Sequence, residues 1–169
     1  MAFQEISLDS LEFNPFHKIS KEWMLVTAGD EKKSNTMTAS WGGLGIMWGK
    51  NIATVYIRPQ RYTKEFVDAG QRFTISFYSE EHRAALAYLG RVSGRDEDKI
   101  ATVGFETQEF DGVPAFSQAK EVLVCKKLYA QPIDPACFEP DNDCCQRSYP
   151  GKDYHVLYIA EIEAVYQKE

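Results

Sequence analysis

The sequence predicts a mainly β fold with short helices, arranged as a barrel within a single domain of residues 1–169. Several short segments alternate apolar and polar residues with the two-residue period of strands, whereas only three segments show helical spacing. The chain is long enough for one domain to bury a core, and apolar residues make up 44% of it. Many strands and few helices together favour a barrel with helices packed outside it.

The N-terminal part of the chain predicts an arm followed by a hairpin. Residues 1–20 have no clear period, so we expect an extended arm or a short turn there. Residues 23–28 and 35–41 are rich in residues that suit strands, and the charged segment 30–33 separates them. This arrangement predicts an antiparallel hairpin.

The stretch 34–63 carries most of the candidate site residues. Four glycines, at positions 42, 43, 45 and 49, predict a glycine-broken turn after the first strand of the stretch. Residues 52–58 form the clearest strand of the chain, because their side chains alternate between two faces. A short helix is expected at 63–69, with Thr63 at its N-cap.

The rest of the chain alternates predicted strands with two more helices. Ser79 is suited to cap the first of these helices and Gly90 to end it, and Ser93 to Asp96 resembles a capping box for a helix at 96–103. Loop 132–152 is long for a compact domain, which suggests a lid or a dimer contact. The strands predicted here are 72–77, 105–110, 122–131 and 155–166.

Composition excludes several classes of partner. The net charge of −6 argues against a nucleic acid or an anionic membrane surface, although it allows a local basic pocket. The first residues show no secretory signal, and no apolar stretch reaches the length of a membrane span. We therefore expect a cytoplasmic protein without a membrane partner. Three of the four cysteines, Cys137, Cys144 and Cys145, lie in loop 132–152; their spacing fits no standard zinc pattern, so no metal site is predicted.

Two pairs of cations are candidates for binding an anion. Arg58 and Arg61 come just before a predicted helix start, where guanidinium groups and helix amides suit a phosphate. Arg95 and Lys99 lie near the start of a later predicted helix. For both pairs the alternative is an ordinary surface helix with solvated cations.

The common catalytic constellations are absent. The chain has only three histidines, none of them near a nucleophile-elbow pattern, and no GxGxxG sequence opens a helix. What remains is a site that binds a ligand without a reactive side chain of its own, which is typical of proteins whose cofactor carries the chemistry.

Five segments of the chain follow one another in this order: NTMTASWGG (35–43), RPQRYT (58–63), SGRDEDK (93–99), VCKKL (124–128) and HVLYIAEI (155–162). Together they resemble the flavin reductase-like family of FMN-binding split β-barrels, in its flavoredoxin-like branch. The resemblance covers roughly residues 20–166 and implies a Greek-key split barrel, bound FMN, and a homodimer with each FMN near the subunit interface.

The resemblance also implies a set of cofactor-binding residues. The strand at 35–41 would lie along the flavin, with backbone groups and the hydroxyls of Thr36, Thr38 and Ser40 contacting the pyrimidine edge and the ribityl chain. A single phosphate anchor, formed by Arg58, Arg61 and Thr63 with Lys99 or Arg95 assisting, favours FMN over FAD. The implied set is Asn35, Thr36, Met37, Thr38, Ala39, Ser40, Trp41, Arg58, Arg61, Tyr62, Thr63, Arg95 and Lys99.

Some residues keep two interpretations. Trp41 and Tyr62 are candidates to cover a flavin face, although a tryptophan on a strand equally suits the core. His155 is the catalytic candidate: it either steers a nicotinamide or donates a hydrogen bond to reduced flavin, or it is a satisfied histidine at the barrel rim. The expected dimer contacts are loop 132–152 and the aromatic arm with Phe3, Phe13 and Phe16.

The resemblance thus implies an NAD(P)H-dependent oxidoreductase that passes electrons through FMN to free flavin, ferric iron or a redox protein. The first alternative is an FMN-binding electron-transfer protein without a nicotinamide site. The second is a barrel that binds no flavin and uses loop 132–152 for interactions.

Overall fold

The computed structural model describes residues 2–169, which form a mostly β structure. The strands are β1 Phe3–Ile6, β2 Met24–Gly29, β3 Ser34–Ala39, β4 Gly42–Met47, β5 Lys50–Ile57, β6 Arg72–Phe77, β7 Thr107–Phe110, β8 Val113–Phe116, β9 Glu121–Pro132 and β10 Val156–Lys168. The α-helices are α1 Pro15–His17, α2 Tyr62–Ala69, α3 Arg83–Arg91, α4 Lys99–Thr102 and α5 Cys144–Ser148. Single helical turns are Leu8–Ser10, Lys18–Glu22, Glu80–His82 and Pro135–Cys137.

The main sheet curls into a split barrel. Its strand order is β3-β2-β6-β9-β10-β5-β4, with β1 also paired to β10. β3 and β4 stand at opposite ends of this order, yet only Ser40 and Trp41 separate them in the chain. Since consecutive Cα atoms are about 3.8 Å apart, Ala39 and Gly42 lie within about 11 Å of each other, so the two ends of the sheet must meet.

The connections between the strands follow a Greek-key pattern. β5 and β6 are consecutive in the chain, but β9 and β10 lie between them in the sheet. No ladder joins β3 to β4 in residues 2–169, and this gap is the split of the barrel. The prediction of a mainly β, Greek-key split barrel is confirmed. Within the described residues, no helix combines the length and the apolar character that crossing a membrane requires.

Two buried clusters form because β6 is covered on both faces. Phe73, Ile75 and Phe77 point into the barrel interior, as their alternation predicted. On the other face of β6, Thr74 and Ser76 are also fully buried, and the Thr74 hydroxyl donates to the carbonyl of Pro114 at 2.7 Å. The β7–β8 hairpin and α3 cover this second cluster. The alternation of β5 is confirmed in the same way, since its Ala53, Val55 and Ile57 are fully buried.

The expected glycine-broken turn at 42–49 is wrong, because most of this segment is strand β4. Gly42–Met47 pairs in antiparallel register with β5, from Gly42 opposite Val55 to Met47 opposite Lys50. The turn is confined to Trp48 and Gly49, which both have positive φ, as a two-residue hairpin turn of this twist requires. Gly42 suits the strand because a Cβ there would meet the Thr54 carbonyl at 2.8 Å.

The N-terminal segment is not a free arm. β1 pairs with the end of β10, and the rings of Phe3 and Phe110 meet edge to face at 4.8 Å. Farther along, the buried Lys18 ammonium lies 3.1 Å from the carboxylate of Glu121. These contacts hold the segment against its own chain, and of the three arm aromatics only Phe16 is largely exposed.

Three predicted helix ends are displaced. α2 begins at Tyr62 with Arg61 in the N-cap position, so the expectation that Thr63 caps this helix is wrong. α3 continues through Gly90 to Arg91. The helix expected at 96–103 is shorter: α4 starts at Lys99, because the Asp98 side chain accepts a hydrogen bond from the amide of Ala101.

Candidate functional site

The first element of the candidate site is the outer edge of β3. β3 pairs with β2 on one side and, in residues 2–169, with no strand on the other. Alternate backbone N–H and C=O groups along this edge therefore lack a ladder partner. They are available to a planar ligand with donor and acceptor atoms along one side.

Two adjoining cavities form a groove along this edge. The cavity at one end has a volume of about 240 Å³ and is lined by residues of 37–41 together with Tyr56 and His155. The cavity at the other end has a volume of about 360 Å³ and reaches Lys99 and Gly94. Met37, Arg58 and Arg61 line both cavities, so the groove is continuous. We call these two ends the ring end and the cationic end.

The cationic end holds Arg61 and Lys99, and neither has a carboxylate partner among residues 2–169. Arg61 donates to the carbonyl of Gly90 at 2.6 Å, and Lys99 donates to the carbonyls of Leu89 and Val92 at 2.6 and 2.8 Å. No Asp or Glu is among the residues that line this cavity.

The pKa values of both cations are lower than usual. Burial, and then the nearby Arg61 charge, lower the pKa of Lys99 to about 8. Burial and the Arg58 charge also lower the pKa of Arg61. Cations that are partly withdrawn from water and repel each other favour an anion between them, because the anion would relieve both effects.

The same end contains the first turn of α2. The Asn35 amide donates to the Thr63 hydroxyl at 2.8 Å and thereby joins β3 to α2. Asn35 and Thr63 are buried, so their side chains position the groove wall. Gly94 completes this wall, since a Cβ at this position would overlap the Asn35 side chain.

Arg58 bridges the groove and the segment between β9 and β10. Its guanidinium lies 2.7 Å from the Asp153 carboxylate and 3.0 Å from the Ser148 carbonyl. Its charge also lies 5.2 Å from the centre of the Tyr149 ring. Arg58 is thus paired within the chain, in contrast to Arg61.

His155 lies at the ring end as a neutral imidazole. Burial, and then the charge of Arg58, lower its pKa to about 4. Nδ1 lies 2.8 Å from the hydroxyl of Tyr149, and the ring packs 5.1 Å from that of Trp41. Trp41 itself is 48% exposed and is therefore not a core residue.

The predicted hydroxyls separate into two groups. The Thr36 hydroxyl is fully buried 2.8 Å from that of Thr27, and the Thr38 hydroxyl donates to the Leu86 carbonyl at 2.6 Å. Thr38 and Ser40 both line the ring end of the groove, together with Met37 and Ala39, whereas Thr36 does not. The hydroxyls of Thr36 and Thr38 thus already have hydrogen-bond partners within the chain.

Tyr62 and Arg95 lie near the cationic end, but only Tyr62 lines the cavity. Tyr62 lines the cavity there, far along the groove from Trp41. Arg95 is outside the lining; it forms an ion pair with Glu65, donates to the Gln60 carbonyl at 3.1 Å and lies over the Tyr62 ring. Tyr62 and Trp41 therefore do not cover the same part of the groove.

Among the residues that sequence reasoning did not select are Tyr56 and Arg91, which line the groove, and Tyr149, which contacts a groove residue. Tyr56 lines the ring end, and it shares a strand face with Arg58, a signal that the alternation of β5 contains. Arg91 lines the cationic end, just after the glycine interpreted as a helix end. Tyr149 contacts His155 only because the segment between β9 and β10 folds back, which no local pattern indicates.

The described residues contain no group of three or more His, Cys, Asp or Glu side chains arranged to hold a metal ion. The four cysteines are free thiols, and Cys125 is buried in the barrel.

The structure thus combines a split barrel with a groove that runs along an open strand edge to two cations. The sequence profile of the flavin reductase like domain matches residues 16–169, so the chain belongs to the flavin reductase-like family. No curated protein matches the chain in sequence.

Three solved structures illustrate the likeness of fold. An FMN-binding domain of a flavin reductase-like enzyme from Shewanella baltica has a TM-score of 0.70 and 20% identity, over 98% of this chain and 77% of that one. The flavoredoxin of Desulfovibrio vulgaris has a TM-score of 0.67 and 23% identity, over 98% and 78%. The styrene monooxygenase flavin reductase of Pseudomonas putida has a TM-score of 0.64 and 19% identity, over 88% and 80%.

Proposed function

We propose that this protein is an FMN-binding oxidoreductase that moves electrons from NAD(P)H through bound FMN to an acceptor. The observation that carries the proposal is the groove, which runs from an unpaired strand edge to two cations without carboxylate partners. Membership of the flavin reductase-like family supports the flavin as its ligand.

The residues present fit FMN. Arg61, Lys99 and the free amides of the first turn of α2 suit one phosphate group. The edge of β3 suits the donor and acceptor atoms of the flavin pyrimidine ring, and the groove between them suits the ribityl chain. A single group of unpaired cations favours FMN over FAD.

At the ring end, Trp41 and His155 would flank the isoalloxazine. A neutral His155 can exchange a hydrogen bond with the ring without placing a positive charge beside it. Bound FMN would supply the redox chemistry, namely acceptance of two electrons from a reduced nicotinamide and their delivery to an acceptor. The protein's own groups hold and orient the cofactor.

Anaerobic mixing with a reduced nicotinamide tests the activity. The FMN-loaded protein should lose its visible flavin absorbance on addition of NADH or NADPH, and the preferred donor is the one that bleaches it faster. A flavin band that persists with both donors would contradict the nicotinamide step and favour an FMN electron carrier reduced by a protein donor.

We also propose a homodimer. Five large apolar residues are exposed near the β4–β5 turn and along β9, which is unusual for a monomer surface. Among them Ile46 is 73% and Trp48 is 55% exposed, and the Trp48 ring lies 6.4 Å from that of Tyr129. The full patch is Ile46, Met47, Trp48, Leu128 and Tyr129.

Light scattering during gel filtration tests this assembly. The native protein should have twice the monomer mass, and Trp48→Lys should shift it towards the monomer. A native monomer at micromolar concentration would contradict the proposal.

We also propose that the protein is cytoplasmic, which agrees with its four free thiols.

A further inference from the structure

A large apolar cavity adjoins the groove and is not used by the proposed cofactor. Its volume is about 600 Å³, which is within the range of small-molecule sites. It shares Ser40, Trp41 and Tyr56 with the ring end of the groove. An occupant of this cavity would therefore lie next to the flavin ring.

The lining of this cavity is uncharged. Its walls come from the α1 region, from β4 and from the segment between β9 and β10, and they contain no Lys, Arg, His, Asp or Glu. The groove beside it, in contrast, presents Arg58, Arg61 and His155. A charged compound in this cavity would lose its hydration without gaining a partner, so the lining selects against it.

The aromatic side chains of the lining indicate what shape of compound fits. Phe16, Trp41, Tyr56, Phe138 and Tyr149 present ring faces and edges to the same space. Such side chains pack well against another planar ring. The hydroxyls of Ser40 and Ser148 offer a few polar points for a single carbonyl or hydroxyl oxygen, which is the usual composition of a site for a small organic molecule.

We propose that this cavity binds the electron acceptor, and that the acceptor is a small, uncharged organic compound built on a planar ring. This inference rests on the proposed function, because the cavity matters for electron transfer only if FMN occupies the groove. It narrows the acceptors implied by the family resemblance, which are free flavin, ferric iron or a redox protein. A ferric ion or a flavin that carries a phosphate has charges that the lining does not match.

A pair of ligands that differ in charge tests the proposal. The FMN-loaded protein is titrated calorimetrically with 2-acetylnaphthalene, which is uncharged, and with 2-naphthoate, which has the same ring and a carboxylate. We expect the uncharged compound to bind at least about tenfold more tightly. Its binding should also shift the visible flavin absorbance, because the two sites share residues.

A substitution in the cavity wall makes the test specific. Phe138→Lys places a cation in the lining and should reverse the preference, so that 2-naphthoate binds more tightly than 2-acetylnaphthalene. Gln108→Lys adds the same charge on an exposed surface outside both the cavity and the apolar patch, and should leave the preference unchanged. Retention of FMN by both variants shows that they are folded.

Two results would overturn the proposal: no binding of the uncharged compound, or equal affinity for the two compounds. If in addition Phe138→Lys converts a dimer to a monomer, the cavity is instead covered by a second copy of the chain. Failure of the proposed function is a separate result, since it is recorded as failure to take up FMN before any probe is added.

Discussion

The hydroxyl of Tyr149 lies 2.8 Å from Nδ1 of His155, and both groups are buried. Tyr149 lines the apolar cavity and His155 lines the ring end of the groove, so this hydrogen bond joins the two sites. It also fixes the segment between β9 and β10 against the start of β10. The first prediction concerns its strength.

Removal of the Tyr149 hydroxyl should destabilise the fold. Tyr149→Phe leaves a buried imidazole nitrogen without its partner, and we expect a loss of about 1–2 kcal/mol in the free energy of unfolding. Urea denaturation measures this loss. Tyr129→Phe removes the hydroxyl of an exposed tyrosine and should change stability by less than about 0.5 kcal/mol. Equal effects of the two substitutions would contradict a structural role for the bond.

The His155 imidazole should make stability depend on pH in the acid range. Its pKa falls from 6.5 to about 4 on folding, so the unfolded chain binds more protons between these values. The contribution is complete above about pH 6.5 and is lost as pH falls towards 4. Between pH 6.5 and pH 4, the free energy of unfolding should fall by about 2–3 kcal/mol more for the native protein than for His155→Gln. Parallel pH profiles would argue against a buried neutral His155.

Arg61 should contribute to binding through the phosphate alone. Arg61→Gln removes a charge-assisted contact and should weaken FMN binding by about 10- to 100-fold. Riboflavin has no phosphate, so its affinity should be nearly unchanged. Arg95→Gln is the matched control, because Arg95 is paired with Glu65 outside the cavity. If Arg95→Gln weakened FMN binding more than Arg61→Gln, the phosphate would be bound at the surface pair of Arg95 and Glu65 instead.

Lys99 should make FMN affinity depend on pH in the alkaline range. The pKa of Lys99 is about 8 in the free protein, so about nine-tenths of the molecules lack its charge at pH 9. If phosphate binds the charged form, the apparent Kd should rise about tenfold between pH 7 and pH 9. Lys99→Met should bind FMN weakly with little pH dependence over the same interval. A flat profile for the native protein would exclude Lys99 from the anchor.

Gly94 should be required for the wall of the cationic end. A methyl group there overlaps the buried Asn35 amide, which must then give up its hydrogen bond to Thr63. Gly94→Ala is therefore expected to cost about 1–3 kcal/mol of stability and to weaken FMN binding. Gly45→Ala has open space around the new methyl and serves as control. Thermal denaturation of both variants measures the difference in their stability.

The strands with strict alternation were predictable, and the glycine-rich one was not. Apolar and polar residues alternate along β5 and β6, and both strands lie close to where this alternation predicted them. β4 has three glycines in six residues, so it has too few side chains to show a period, and its pairing with β5 defines it instead. The β1 contacts with β10 join the two ends of the chain, which no local pattern reveals.

The candidate site divides in a similar way. Arg61 and Lys99 were selected as cations near predicted helix starts, and residues 35–41 through the family resemblance. The structure brings both cations to one groove with Asn35 and residues 37–41, but not with the buried Thr36; their role in binding stays a prediction. The pairing of Arg58 with Asp153 depends on a long segment that folds back over the barrel. Its geometry is fixed by tertiary contacts, so sequence spacing could not distinguish Arg58 from Arg61.

Comparison of FMN with riboflavin as ligands of the native protein tests the account most directly. Quenching of flavin fluorescence at pH 7 gives both dissociation constants under identical conditions. The groove with its unpaired cations predicts tight binding of FMN and at least about tenfold weaker binding of riboflavin. Equal affinities would contradict a phosphate anchor at Arg61 and Lys99, and failure of both compounds to bind would contradict the assignment of the groove to a flavin.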